Sequence, residues 1–424
     1  MFRFLHAADI HLDSPLRGLE RYEDAPAAEV REAPRRALEN LVELALEEQV
    51  AFVLIAGDLY DGDWRDYNTG IFFAAQMRRL TAAEIPVVLV AGNHDAASQI
   101  TKSLSLPPGV VQLATDAPQT HELPHLGVAI HGQGFASRSV SRDLAADYPM
   151  AMPGRFEIGL LHTSLDGRPP HDDYAPCSLE TLRSKGYRYW ALGHVHAREV
   201  VCRDPWIVYP GNLQGRHVRE TGAKGCTLVT VEEGEITAVE HRSLDVVRWA
   251  LVEVDGTGAR DAEETIDRVR VALEEAVEGA EGRLLAARLV LRGRTPAQSA
   301  LVRDPERWIH EYREQAARFE TPGVWLEQVR IETRPEQDLE AAFGREDALG
   351  DLVRLIAELD GESAALEELA ALFGDLAQKL PPEIRRGEAG EEDCDPTDVE
   401  WIRARLPEVR SLLLARLVEL GERD

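Results

Sequence analysis

A chain of 424 residues with 44% hydrophobic side chains is long enough for two or three domains and can bury a core in each. Its 75 acidic residues against 47 Lys and Arg leave a net charge of -28, which excludes a broad electrostatic grip on nucleic acid by the mean surface. The four cysteines have no paired spacing, which excludes a disulfide framework or zinc knuckle, and no apolar stretch of about 18 residues exists to span a membrane.

Taken in order, Phe2 to Ala8 reads as a short buried strand that ends in Asp9, Ile10 and His11. The chain reaches Asp9 before any apolar run long enough for a signal sequence, so a reducing cytoplasm is the expected location. Pro34 to Glu48 repeats Ala37, Leu38, Leu41, Val42, Leu44 and Ala45 at helical spacing. Phe52 to Ala56 is the next strand, closed by Gly57 and Asp58, and Asn68 to Ala83 the next helix. Val87 to Val90 then runs straight into Gly92, Asn93, His94 and Asp95. A strand–helix alternation whose strands finish in polar clusters is how an α/β protein delivers chemistry to the carboxyl edge of its sheet.

Beyond Ser98 short strands are expected at Val110 to Leu113, Val128 to His131, Glu157 to Leu161, Tyr189 to Leu192 and Ile207 to Tyr209, with a hairpin over Gly225 to Val231 and Glu235 to His241. Three domains follow: 1–244, then a small α+β domain over 245–334, then an acidic helical region over 335–424 with 24 acidic and 10 basic residues. The small domain reads as strand Val246 to Val254, helix Ala262 to Val277, strand Arg283 to Leu291, helix Pro305 to Phe319 and strand Val324 to Ile331. In the last region Leu349 to Leu359 and Ala364 to Leu380 read as helices, Pro381 to Pro396 as a linker, and Val399 to Leu420 as an amphipathic helix that Pro407 kinks or starts.

The polar strand ends are Asp9 with His11, Asp58, Asn93 with His94, His162, and His194 with His196. Carboxylate, imidazole and amide oxygen suit manganese, iron or zinc. Asp9 and His11, two apart on an extended segment, are expected to project to one side, as are His194 and His196. Asp58, at a central strand end, is the natural bridge between two cations, and such a pair suits hydrolysis of a phosphate ester. Singly, each piece is more often a turn or a surface histidine. Together, five of thirteen histidines fall at strand ends beside Asp, Asn or Gly, which coincidence does not account for.

The ordered set Asp-x-His, Gly-Asp, Gly-Asn-His and Gly-His-x-His resembles the calcineurin-like metallophosphoesterases. Within them the opening Phe-Leu-His-Ala-Ala-Asp-Ile-His-Leu-Asp-Ser-Pro, with Ala-Gly-Asp-Leu-Tyr-Asp, Ala-Gly-Asn-His-Asp and Ala-Leu-Gly-His-Val-His, is similar to SbcD-type DNA repair exonucleases. The resemblance covers Met1 to Leu244 and implies a β-sandwich flanked by helices, with the α+β domain as a cap and a helical tail. It implies two divalent metal ions, expected to be manganese with iron or zinc as alternatives. Asp9, His11, Asp58 and His196 would hold one ion, and Asp58, Asn93, His162 and His194 the other. His94 would stabilise the scissile phosphate or protonate the leaving oxygen, with Asp61 orienting it and Asp95 a rival for that task. The departure from the family's serine-containing turn at Asn212 to Arg216 leaves a substrate contact by Arg216 open.

The resemblance therefore implies a DNA exonuclease or endonuclease that works with an SMC-like coiled-coil ATPase and can form a homodimer. A phosphomonoesterase or small-molecule phosphodiesterase, and a metal-free scaffold on the same fold, are the competing readings. His6, His121, His125, His131, His171, His217, His241 and His310 are expected to be surface or packing residues.

Overall fold

The computed structural model describes residues 1–14, 26–61, 67–97, 106–165, 175–321, 323–336, 350, 351, 354, 363–380, 394–406 and 409. The chain divides into two compact units, the first comprising Met1–Leu251, Ala276–Ala287 and Phe319–Glu327, the second Val252–Glu275, Arg288–Arg318 and Gln328–Asp424.

In the first unit the opening alternation is β1 (Phe2–Ala7), α1 (Ala27–Glu47), β2 (Phe52–Ala56), α2 (Tyr67–Ala82) and β3 (Val87–Val90), followed by the short α3 (Asn93–Ala97) and β4 (Val110–Gln112). β5 (Gln119–Leu123), β6 (Val128–Gly132), β7 (Phe156–His162), α4 (Leu179–Ser184), β8 (Tyr189–Gly193), β9 (Glu199–Arg203) and β10 (Trp206–Tyr209) come next. The hairpin β11 (Gly225–Glu232) and β12 (Glu235–Ser243) follows. One six-stranded sheet has the order β12-β11-β1-β2-β3-β4, the other β5-β6-β7-β8-β10-β9.

β1 to β4 are parallel to one another, as are β6, β7, β8 and β10, while the flanking strands β11, β5 and β9 pair antiparallel to their neighbours. Every residue of β2, β3, β7 and β8 is buried, as expected of parallel strands covered on both faces. Phe4, Phe52, Leu54 and Val88 of the first sheet share one core with Ile130, Ile158, Leu160 and Tyr189 of the second, so the two sheets face each other. Ala37, Leu38 and Leu41 of α1 and Phe73 and Met77 of α2 cover the outer face of the first sheet. Trp190, Leu192 and Tyr209 fill the outer face of the second against Leu182 of α4. This is the α/β sandwich flanked by helices that the sequence predicts.

Some boundaries move. α1 starts at Ala27 with Pro34 inside it, because the preceding residues are good helix formers and burial of Val30 and Ala33 against Val247 and Trp249 offsets the hydrogen bond that proline cannot donate. β5 and β9 lie at sheet edges with exposed or half-buried residues, so they lack the apolar signal that marks interior strands.

β13 (Val247–Asp255), α5 (Ala262–Gly279), β14 (Leu284–Arg294), α6 (Gln298–Arg303), α7 (Pro305–Ala317) and β15 (Val324–Arg334) follow, the strands forming a three-stranded sheet. In the second unit the hydroxyls of Thr265 on α5 and Tyr312 on α7 lie 2.7 Å apart, joining the two helices. The helix expected over Ala364 to Leu380 is two, α8 (Ser363–Leu372) and α9 (Gly374–Lys379), broken at Phe373 where Gly374 weakens helical continuity. Residues 399–406 are helical, and Ile402 and Leu406 are buried against Leu366 and Ala370, so this part of the expected amphipathic helix packs on its own unit. Most of the expected helix Leu349 to Leu359, the linker before Cys394, and Leu413, Leu417 and Leu420 lie outside the described residues. Among the described residues no helix is long and apolar enough to cross a membrane.

His6 joins the two sheets. From β1 its Nε2 lies 3.1 Å from the Leu192 carbonyl and its Nδ1 3.0 Å from the Tyr189 hydroxyl. A carbonyl only accepts, so Nε2 carries the proton and Nδ1 accepts from tyrosine. Burial lowers the pKa of His6 to about 3. The unfolded chain therefore binds the proton first, and this contribution to stability is present above about pH 6.5 and lost as pH falls toward 3. Urea unfolding of wild type and His6→Gln across that window should show a shallower acid loss in the variant, by up to ~1.4 kcal/mol per pH unit. Identical pH dependence would contradict this account.

Candidate metal centre

The parallel strands of both sheets deliver their polar ends to one place. Beyond β1 and β2 the backbones stay paired, with Asp9 N donating to Gly57 O at 3.0 Å and His11 N to Asp58 O at 3.0 Å. In the second sheet His162 is in register with Gly193, which puts His194 at the next position. Gly193 permits this: a Cβ there would stand 1.9 Å from the Ala56 carbonyl oxygen of the facing sheet.

These ends are not extended. Asp9, His11, Asp58 and His194 have φ of 51°, 45°, 52° and 102°, a left-handed backbone that costs each about 1–3 kcal/mol and persists where surrounding contacts hold it. Asp9 and His11 therefore converge through backbone kinks rather than strand alternation, and with His196 they offer ligand atoms within 4.8 Å of one another. His194 and His196, expected to project to one side, turn toward different imidazoles. The His196 ring lies 5.0 Å from that of His11, whereas the His194 ring lies 5.2 Å from that of His162.

Asp58 stands between the two groups, with Oδ2 4.0 Å from His11 Nε2 and 3.5 Å from His162 Nε2. Asp9, Asp58 and His162 form a second set of close ligand atoms, and Asn93 Oδ1 lies 2.9 Å from His162 Nε2. Asp9, His11, Asp58, Asn93, His162 and His194 are all buried; His196 is partly open.

The protonation pattern tests whether this set fits cations. His162 Nδ1 lies 2.9 Å from the Ala56 carbonyl and so carries the proton. Burial lowers its pKa to about 3, leaving Nε2 as a lone pair aimed at the oxygens of Asn93 and Asp58. Likewise His196 Nδ1 donates to Glu220 Oε1 at 2.6 Å, so its Nε2 lone pair faces His11 Nε2 at 3.2 Å and Asp9 Oδ1 at 4.0 Å. Burial, then the charge of Arg216, keeps His11 neutral as well. Burial raises Asp9 and Asp58, and the charge of Asp58 raises Asp9 further. Acceptors converging on one another are repulsive until positive charge enters among them, so the donor set fits two divalent cations.

Around this cluster the imidazoles behave differently. His94 Nδ1 lies 2.9 Å from Asp61 Oδ1, and Ser14 Oγ donates to Asp61 Oδ2 at 2.6 Å. Burial pulls His94 down, but the hydrogen bond to Asp61 and the charge of Asp58 outweigh it and raise its pKa. Burial pushes Asp61 up, yet its hydrogen bonds with His94 and Ser14 bring it to about 2. Asp95, the rival partner, accepts from Leu59 N, Tyr60 N and Gly92 N at 2.9, 3.1 and 3.0 Å and does not contact His94. It ties the β2 end to the β3 end as a turn cap.

Sequence reasoning passed over Glu220. Besides His196, it accepts from Asn212 Nδ2 at 2.9 Å, Arg216 N at 2.7 Å and Arg216 Nη2 at 3.2 Å. Arg216 also lies 3.9 Å from Asp61 Oδ2, spanning the two anionic partners of the site histidines. Glu220 sits in a loop with no periodic signal, and only its spacing after the turn at Asn212 hints at it. Of the excluded histidines, His131 pairs with Glu157 and Thr120 and stacks on Tyr187, outside the cluster, while His217 lies 3.7 Å from Glu220 on the cluster's exposed side.

Comparison with known proteins agrees with this geometry. Residues 2–198 match the family model of the calcineurin-like phosphoesterases, and 249–334 match that of the YhaO metallophosphoesterase middle domain. The chain is 33% identical over 343 residues to an uncharacterized metallophosphoesterase, YhaO, of Bacillus subtilis, covering 79% of this chain and 83% of that protein. It is 28% identical to the DNA double-strand break repair protein Mre11 of Aeropyrum pernix over 60% of this chain and 64% of the relative. With the Mre11 of Sulfurisphaera tokodaii the identity is 24%, over 61% and 67%. Members of this family use dinuclear metal centres, and the clustered ligand atoms are of the kind such a centre takes. The chain belongs to the calcineurin-like metallophosphoesterases.

Proposed function

We propose that this metallophosphoesterase hydrolyses DNA phosphodiester bonds, as an exonuclease or endonuclease of the SbcD type in DNA repair. The observation that carries the hydrolytic part is the convergence of His162, His196 and His11 lone pairs on the Asp9 and Asp58 carboxylates. The DNA part is supported by the two Mre11 relatives, whose names place them in double-strand break repair. By the same resemblance the reading includes a coiled-coil ATPase of the SMC kind as partner and a homodimer through the phosphoesterase domain.

In this reading Asp9, His11, Asp58 and His196 hold one divalent ion, expected to be manganese, and Asp58, Asn93, His162 and His194 the other. When bound, the pair supplies Lewis acidity and an activated water at neutral pH. In this reading His94, whose side chain is 31% exposed beside the buried ligands, meets the scissile phosphate, and its raised pKa suits it to give a proton to the departing oxygen. Asp61 fixes the His94 ring through Nδ1 and leaves Nε2 for substrate. Glu220 does the same for His196, turning its Nε2 inward.

With added manganese the full chain should degrade single-stranded DNA; DNA left intact while p-nitrophenyl phosphate turns over would replace the nuclease by the small-ester reading. His94→Ala should lower kcat by about 10²–10⁴ with bound metal unchanged, and full retention of rate would remove His94 from the mechanism. Metal analysis of Glu220→Gln should show affinity for one ion weakened by about 10–100-fold, the loss typical when a partner orienting a ligand is removed. Unaltered affinity would leave Glu220 a structural residue only.

A further inference from the structure

The strands that carry His162 and His194 at their carboxyl ends open onto a cavity at their other ends. Its volume is about 780 Å³, within the range of small-molecule sites, and its lining includes Glu157 near the start of β7, Arg188 just before β8 and Trp206 at the start of β10. Glu157 and His162 are five residues apart on extended β7, so roughly 17 Å separate this cavity from the metal ligands.

Four arginines line it: Arg155, Arg183, Arg188 and Arg203. Two are already compensated, Arg188 by Glu235 at 2.9 Å and Arg155 by Glu122 at 2.6 Å. Arg183 donates instead to Cys202 Sγ at 3.2 Å, and the Arg203 guanidinium lies 5.9 Å from the Trp206 ring centroid. Among the described residues neither pairs with a carboxylate. The lining acids are Glu157, bonded inward to His131, Glu235, already used by Arg188, and Asp204. Arg183 and Arg203 are therefore the arginines of this lining without a carboxylate partner among the described residues, in a chain of net charge -28. The field reaches Cys202, whose thiol is lowered because the hydrogen bond from Arg183 outweighs the upward push of slight burial. The rest of the lining includes flat or apolar surface from Met152, Pro205 and Trp206, while the Tyr187 ring behind it is buried between His131 and Trp190.

We propose that this cavity binds a nucleoside diphosphate or a close analogue, Arg183 and Arg203 taking the phosphates and the wall of Met152, Pro205 and Trp206 taking the ring system. Guanidinium groups without carboxylate partners match phosphate oxygens in a forked, multiply bonded geometry, and aromatic faces accept a base. The assignment stands apart from the DNA reading, because neither arginine belongs to the metal cluster.

Calorimetric titration of the full chain with ADP is the test, with pyrophosphate and adenosine as separate probes. ADP should bind more tightly than either, and Arg183→Gln with Arg203→Gln should weaken it at least tenfold. Arg155→Gln, whose charge Glu122 already neutralises, should leave affinity within twofold. Hydrolysis of a generic phosphate ester should be unchanged in all of these variants, which also shows that they fold. Pyrophosphate binding as tightly as ADP, or ADP affinity equal in wild type and double variant, overturns the proposal. So does a double variant that loses DNA hydrolysis while keeping ADP affinity, since the arginines would then serve the nucleic acid.

Discussion

Two carboxylates, Asp9 and Asp58, set the terms for the rest of the first unit. They are 0% and 2% exposed at the ends of adjacent parallel strands, where burial and mutual repulsion both disfavour their charge. Each is also a structural acceptor. Asp9 takes the backbone N–H of His194 on both oxygens, at 3.1 and 3.0 Å, and Asp58 takes that of His94 at 3.0 Å. The β1 end is thereby tied across to the β8 end, and the β2 end to the start of α3. The hydrogen bonds that assemble the strand ends are made by the groups that most need a cation, so a cation bound there would be coupled to local stability. The left-handed backbone at Asp9, His11, Asp58 and His194 is strain this arrangement must hold, and it is held by the same bonds.

The imidazoles divide by their partners. His162 is fixed by a neutral carbonyl and His11 has no hydrogen-bonded carboxylate partner, so burial wins and both stay unprotonated, as ligation requires. His94 is fixed by a carboxylate, which wins against burial and keeps a proton available near neutrality. Environment, not residue type, separates the imidazoles that present lone pairs from the one that holds its proton, as in other sites where neighbouring titratable groups are pushed apart. Arg216 adds a positive charge between Asp61 and Glu220, holding both partners ionised while leaving the neutral histidines further from protonation.

How much of this was legible in the sequence follows from which interactions are local. Buried parallel strands are continuous apolar runs, so Phe52–Ala56 and Val87–Val90 and the polar residues that end them can be read directly. The strand ends name the ligand types without any long-range knowledge. The route by which they converge was not legible, because positive φ at Asp9 and His194 is imposed by pairing with Gly57 and by the close approach of Gly193 to Ala56, contacts far apart in sequence. Glu220 was invisible for the same reason: a loop glutamate acquires meaning only when His196 is brought to it. Asp61 and Asp95 were indistinguishable as partners of His94 in one dimension, and only geometry separates the one that touches its ring from the one that caps the turn.

Net charge is a poor guide to such a site. Of the excess of 28 acidic charges, 14 lie beyond Pro335, where 24 acidic residues face 10 basic ones outside the first unit, whereas Asp61 and Glu220 are balanced by Arg216 and by histidine. The buried Asp9 and Asp58 would be overbalanced by two divalent ions, reversing the sign of the field at the point where a phosphate arrives. An anionic substrate is then recruited over short range by cations and a few arginines, against a repulsive long-range background. With cations bound, attraction of a phosphate would depend on what fits at the strand ends and not on general affinity for polyanions.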